Sequence, residues 1–228
     1  ARVLLARRFH NDAVRDTLAL RDRPAVRILR LGGTASLPSY FEISEGGEVS
    51  TREEVSVNRR TSARVLLLDR DGAVLLLCGS DPAASGGVTR APRWWFTIGG
   101  AAQVGEALAQ TAARELEEET GLRVAPGQMV GPVWRRDAVI DFNGSVIRSE
   151  EMYFIYRTGR FEPSDLGRTG LERAYIHDHR WCDATMIDEL VADGETVYPL
   201  QLGELLDEAS ALADAPDAVL QRALESIR

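Results

Sequence analysis

The chain has 228 residues, 44% of them apolar, with 27 basic and 35 acidic side chains and a formal net charge of −8. That length and composition suit a globular protein that buries a full core, as one domain with an appendage or as two small domains. The acidic balance argues against a task centred on nucleic-acid backbones, and no run reaches the 18 apolar residues of a membrane helix or resembles a signal peptide, so a soluble cytoplasmic protein is expected.

Charge is unevenly spread. Residues 1–60 carry 11 arginines against 8 acidic residues, a net +3, whereas residues 61–228 carry 16 basic and 27 acidic residues, a net −11. The change falls near Asn58, so residues 1–57 read as an N-terminal extension that packs on the main domain or on a partner subunit, with a mobile tail as the alternative. Residues 58–228 read as the main domain with its C-terminal helices. Within the extension, residues 13–20 suit a short helix and 26–31 a short strand, with Gly and Ser at 32–36 and 44–50 interrupting it.

The pattern sharpens from Thr61. Residues 63–68 and 73–78 read as strands joined by an Asp69-Arg70-Asp71-Gly72 turn. Each is a run of six mostly aliphatic residues, the composition of strands covered on both faces, which implies an α/β fold with a mixed sheet between helices. A Gly-, Ala- and Pro-rich loop follows over 80–93, then a short strand over 94–97 leading into Gly99-Gly100. Trp94 and Trp95 alternate faces: either both are core, or one packs inward while the other, Trp95 foremost, lines a substrate mouth. Cys78 and Cys182 sit in apolar or aromatic runs without metal-ligand spacing and read as buried, reduced thiols.

Chemistry concentrates in Gly100 to Leu122, GAAQVGEALAQTAARELEEETGL. On a helical wheel Leu108, Ala112 and Leu116 form one apolar stripe, with Gln110 and Glu117 opposite. Glu115 and Glu119 are one turn apart with Glu118 beside them, at the edge of the stripe. Like charges at this spacing repel, and they occupy the helix half where the macrodipole favours cations, so the arrangement implies a compensating partner. An oxygen-only set suits Mg²⁺ or Mn²⁺ better than zinc. A solvated acidic face is the bland alternative.

Beyond this helix, residues 130–134 and 137–142 read as strands, Asn143-Gly144 as a hairpin turn, and 145–148 and 151–157 as the returning strands. Residues 159–174 form a long polar loop, long enough to be functional. Residues 175–182 make a strand with His177 and His179 on one face, a pair without a third ligand nearby. Helices are expected over 185–190, 198–213 and 217–227, the last with Asp217 as N-cap.

The spacing G-x5-E-x7-R-E-U-x-E-E-x-G-U, with U a bulky aliphatic, is matched at nine defined positions by Gly100, Glu106, Arg114, Glu115, Leu116, Glu118, Glu119, Gly121 and Leu122. In this the chain resembles the Nudix hydrolases, over about residues 58–198. The resemblance implies a Nudix α/β/α sandwich and a Mg²⁺-dependent hydrolase, with Mn²⁺ as a substitute, that cleaves the diphosphate of a nucleoside diphosphate linked to a moiety X. The alternatives are a nucleoside triphosphate pyrophosphatase and a non-catalytic regulator on the same fold. It implies Glu115, Glu118, Glu119 and the Gly99 backbone as metal ligands, with Glu118 or Glu119 as base. Arg114 holds the carboxylates and loop in place, and Glu106 supports them. The family's base sometimes lies outside the box, where Glu150, Glu151, Glu162 and Glu172 are candidates, Glu151 foremost. Arg64 and Arg93, with Arg135, Arg136 and Arg148, are candidate phosphate contacts. Family members often form dimers, which the leader and the C-terminal helices offer surface for. Ile98 replaces the proline common before the glycine pair, and Gln103 replaces an acid that often follows it, removing one metal contact.

Overall fold

Alternation along two strands sets the layers. β1 (Asn58–Leu68) sends Ala63, Val65 and Leu67 into one apolar cluster and Leu66 and Leu68 into another, and β2 (Val74–Ser80) divides Leu75 and Leu77 from Val74, Leu76 and Cys78 in the same way. Every one of these side chains is fully buried, so the unbroken aliphatic runs are strands with two covered faces. The computed structural model describes residues 58–80, 93–142, 145–219 and 222–228, all in the unit Asn58–Arg228. The expectations for residues 1–57, for most of the 80–93 loop and for the Asn143-Gly144 turn lie outside the described residues.

The remaining elements follow in chain order. They are β3 (Arg93–Ala101), α1 (Leu108–Thr120), a 3-10 turn (Pro126–Gln128), β4 (Val130–Phe142), β5 (Ser145–Arg157), α2 (Gly170–Tyr175), β6 (Ile176–Cys182), α3 (Ala184–Ala192), β7 (Thr196–Tyr198), α4 (Leu202–Asp214), α5 (Pro216–Val219) and β8 (Glu225–Ser226). Among the described residues the strands form one sheet in the order β6-β2-β3-β1-β5-β4-β8, with β7 pairing β3. β1 is antiparallel to β3 and parallel to β5, which makes the sheet mixed.

α1 covers one face through Ala112 and Leu116. α3 and α4 cover the other with Ile187, Leu190, Leu202, Leu206, Ala209 and Leu212. The architecture is the α/β/α sandwich expected from the aliphatic runs. Full burial of Leu116 contributes roughly 1.5–3 kcal/mol. An i,i+4 like-charge pair on a helix surface costs only about 0.2–0.5 kcal/mol. The stripe faces the sheet and carries its acidic neighbours inward, at a desolvation cost beyond that surface repulsion. No helix among the described residues is long and apolar enough to cross a membrane.

Several expected boundaries move. β1 begins at Asn58 rather than residue 63 because its first half pairs with β5, from Asn58 opposite Ile147 onward. β4 and β5 are single long strands rather than two pairs of short ones, the irregularity between Val130 and Trp134 being absorbed as a register shift. The 159–174 loop is shortened by α2. Residues 196–198 are a strand, so the following helix starts at Leu202 instead of 198. The helix expected over 217–227 is corrected most: among the described residues there only Pro216–Val219 is helical, and Glu225–Ser226 adds as a parallel edge strand to β4, where the Ile227 N–H donates to the Arg135 carbonyl at 2.9 Å. Ile227 buries in the core beside Trp134, a tertiary gain that periodicity alone does not register.

Candidate metal and active site

The site begins with a glycine pair at the end of β3. Gly99 has φ +133°, and a Cβ there would lie 2.1 Å from the Ala63 carbonyl oxygen, so no other residue fits. A Cβ on Gly100 would lie 2.6 Å from Glu115 Oε1, because the Glu115 carboxylate packs directly on that backbone. The Gly99 N–H donates to Glu119 Oε2 at 2.8 Å. Glu115 and Glu119 are thus buried against bare main chain, at 6% and 1% exposure.

Their third neighbour comes from α2. Thr169 and Glu172 form a capping box, Thr169 N–H donating to Glu172 Oε2 at 2.6 Å and Glu172 N–H to Thr169 Oγ1 at 3.3 Å. The segment before α2 is fastened to the end of α1. Arg168 Nε and Nη2 donate to the Glu119 carbonyl at 3.2 and 3.1 Å, and Ser164 N–H donates to the Thr120 carbonyl at 2.9 Å. This brings one oxygen each of Glu115, Glu119 and Glu172 within 4.8 Å of one another.

The electrostatics are those of a cation site. Burial raises the Glu119 carboxyl to about 8 against the opposing Gly99 N–H, with the Glu115 charge adding to the rise. Burial also raises Glu115, despite the hydrogen bond from Arg114. Crowded, desolvated carboxylates are costly as bare anions, and three of them offering oxygen alone fit a hard divalent ion.

Arg114 organises the rim. Its Nε and Nη2 hold both oxygens of Glu106 at 2.9 and 3.0 Å, Nη1 reaches Glu115 at 2.7 Å and Glu118 at 2.9 Å, and Nη2 also reaches the Ala101 carbonyl at 3.0 Å. These bonds keep the Glu106 carboxyl down at about 2. Glu118 is 39% exposed and lies outside the three carboxylates whose oxygens come within 4.8 Å of one another, which include Glu172.

On the opposite face of the sheet lies a second buried carboxylate. Glu151, 1% exposed, accepts from Arg64 Nε and Nη2 at 2.9 and 2.7 Å, from Arg136 Nη1 at 2.9 Å and from Tyr153 OH at 3.1 Å. Burial alone would raise it, but the Arg64 and Arg136 charges prevail and hold it below the usual carboxylate range. The third donor of Arg64, Nη1, reaches the Gly99 carbonyl at 2.9 Å. That carbonyl, an expected metal contact, thus also accepts from a guanidinium, which uses one of its two lone pairs.

The other sequence-derived candidates are scattered. Arg93 hydrogen-bonds Cys78 Sγ at 3.1–3.2 Å and, with Arg180, lies over the Trp95 ring. Trp95 is 1% exposed and donates to the Glu195 carboxylate, so its indole is core rather than the wall of an open mouth. Arg135 bonds Ser226 and Arg148 is exposed. Glu162 pairs with His179 at 3.2 Å, while His177 shares a hydrogen bond with Ser80 at 2.6 Å, so the two histidines face separate partners and do not chelate together. Glu172 was legible only as one acid in a loop; its T-x-x-E spacing after a glycine-rich segment is the signal that marks a helix start there.

An α/β/α sandwich with an all-carboxylate cluster at a glycine turn is consistent with a metal-assisted hydrolase of acid anhydrides. Residues 58–201 match the NUDIX domain family, and the chain belongs to it. It is a Nudix hydrolase, acting on the diphosphate of a nucleotide-type substrate. Among solved structures it is similar to a MutT protein from Methanosarcina mazei Go1, at 19% identity and a TM-score of 0.46 over 69% of this chain and 96% of that one. It is also similar to the dihydroneopterin triphosphate pyrophosphohydrolase of E. coli, at 19% identity and a TM-score of 0.45 over 67% and 97%. A third is an Ap4A hydrolase of C. elegans, at 17% identity and a TM-score of 0.41 over 67% and 98%. A comparison with curated proteins found no match.

Proposed function

We propose that the protein is a Mg²⁺-dependent hydrolase that cuts the diphosphate linkage of a nucleoside diphosphate joined to a second moiety. The observation that carries this reading is the convergence of one oxygen each of Glu115, Glu119 and Glu172 within 4.8 Å of one another, Glu115 and Glu119 buried and Glu172 half-buried. Glu115, Glu119 and Glu172 would hold the ion. Once bound, it supplies charge neutralisation on phosphate oxygens and a water made acidic enough to attack phosphorus.

The chain's own residues do the rest. Arg114 fixes Glu115 and Glu118 from one side and the Glu106 loop from the other, so the carboxylates are oriented before substrate arrives. The Gly99 N–H holds one Glu119 oxygen and leaves the other for the ion or for a proton. Glu118, half-exposed at the rim, is placed to take a proton from water, whereas Glu151 has its oxygens filled by two guanidiniums and a phenol. Its role in this reading is to hold Arg64 and, through Arg64 Nη1, the Gly99 turn.

The test is a product analysis with Mg²⁺ and with EDTA, using nucleoside diphosphate sugars, dinucleotides and nucleoside triphosphates. The expected products are a nucleoside monophosphate and a phosphorylated second moiety, with no release of pyrophosphate. Release of pyrophosphate from triphosphates in preference would replace this reading by the triphosphate pyrophosphatase. Turnover unchanged by EDTA would end both.

A further inference from the structure

The last turn of α1 is gripped from outside by a short stretch of main chain. Ser164 N–H donates to the Thr120 carbonyl and two Arg168 nitrogens to the Glu119 carbonyl, so residues 164–168 satisfy carbonyls that a helix end leaves bare. Between these contacts lies Gly167, where a Cβ would sit 2.6 Å from the Glu118 carbonyl oxygen and 2.8 Å from the Glu118 Cα. One segment thus touches Glu118, Glu119 and Thr120 in turn. The φ of Gly167 lies outside the left-handed region, so what the position demands is the absence of a side chain. The obstacle is helix backbone, which cannot swing aside as the tip of a side chain can.

The segment leads directly into Glu172. Arg168 N–H closes a turn on the Asp165 carbonyl at 3.1 Å, the chain passes to Thr169, and the Thr169–Glu172 capping box ties the Glu172 side chain to the first turn of α2. The place of Glu172 beside Glu115 and Glu119 therefore depends on how closely the 164–168 main chain lies on α1. Gly170, on the other side of the same cap, has nothing within 4 Å of the point a Cβ would occupy. The two glycines border one helix start and differ in what surrounds them.

We propose that Gly167 is a positioning residue for the metal site: its bare backbone seats the 164–168 segment on α1 and so delivers the Glu172 carboxylate to Glu115 and Glu119. The inference rests on the diphosphate-hydrolase reading and adds to it the contact that brings in the third carboxylate.

Mn²⁺ titration tests this in the wild type, Gly167→Ala, Gly170→Ala, Glu172→Gln and the double variant Gly167→Ala/Glu172→Gln, with melting curves to show that each folds. Gly167→Ala is expected to weaken Mn²⁺ binding about 10- to 100-fold, the range for losing a group that orients a ligand, and Gly170→Ala to leave it unchanged. Because the glycine acts through Glu172, adding Gly167→Ala to Glu172→Gln is expected to cost little more, a non-additivity that general loosening does not produce. Wild-type affinity in Gly167→Ala would overturn the proposal, as would an equal loss in Gly170→Ala. An equal loss with and without Glu172 would make Gly167 a support for α1 alone and overturn it too. Should Gly167→Ala fail to fold, Arg168→Ala, which removes the bonds to the Glu119 carbonyl without adding an atom, is read in the same cycle against the same outcomes. These results leave the hydrolase reading standing, whereas a wild type that binds no Mn²⁺ overturns both.

Discussion

The two buried carboxylate centres of this domain lie on opposite faces of one sheet and are built in opposite ways. Glu151 is closed: two guanidiniums and a phenol satisfy it and hold its proton off. Glu119 is open, with one backbone N–H, a neighbouring Glu115 carboxylate and a raised carboxyl. Burial is the same in both, so burial alone does not identify a functional acid. What separates them is whether opposite charge has been supplied by the fold or left for a ligand.

The sharpest way to break this contrast is to neutralise each centre. Glu119→Gln should lower kcat by on the order of 10²–10⁴-fold while making the EDTA-treated protein melt at a higher temperature above about pH 8, where a costly buried anion is gone. A lower melting temperature in EDTA would show that Glu119 is held as Glu151 is. Glu151→Gln should do the reverse to stability, costing about 3–5 kcal/mol in denaturant titration, since two buried guanidiniums lose their partner.

Glu172 and Glu118 give the next comparison. Glu172→Gln should weaken Mn²⁺ binding by about 10- to 100-fold, and Arg168→Ala should weaken it less through the loosened attachment of α2. Glu118→Gln should change Mn²⁺ affinity by less than about 10-fold, since its side chain already leans on Arg114. Equal losses from the two glutamine variants would remove the distinction between converging and rim carboxylates.

A further contrast is in pH. Glu119 has its folded value raised from 4.5 to about 8, so the folded protein binds more protons than the unfolded chain across that window. Stability of the metal-free protein should therefore fall as pH rises from about 4.5 to 8 through this group, and Mg²⁺ should cancel the fall. Glu106 acts in the acid range with the opposite sign: its folded value is depressed to about 2, so its contribution is present above 4.5 and lost as pH drops toward 2. Melting curves with and without Mg²⁺ between pH 3 and 9 separate the two. A flat metal-free profile from 5 to 8 would contradict the open character of Glu119.

Much of this was readable in one dimension because its causes are local. Unbroken aliphatic runs at 63–68 and 73–78 require two covered faces, and a helix whose apolar stripe borders Glu115 and Glu119 must carry those acids toward the core. The final segment failed for the complementary reason. Residues 217–227 have helical spacing, yet an unpaired edge of β4 and a place for Ile227 beside Trp134 outweigh a weak propensity. Likewise Trp95 and Arg93 look available for substrate in the sequence, and only packing shows that each is already occupied by Glu195, Arg180 and Cys78.

The sequence by itself determined the sandwich, the family and the helix that presents the acids, since periodicity and fixed spacing act between residues close in the chain. Tertiary structure alone decided which carboxylates remain without a counter-charge. Arg64 meets Glu151 across 87 positions and Glu172 reaches Glu119 across more than fifty, and such pairings come from sheet register and loop attachment, which leave no periodic trace in the chain.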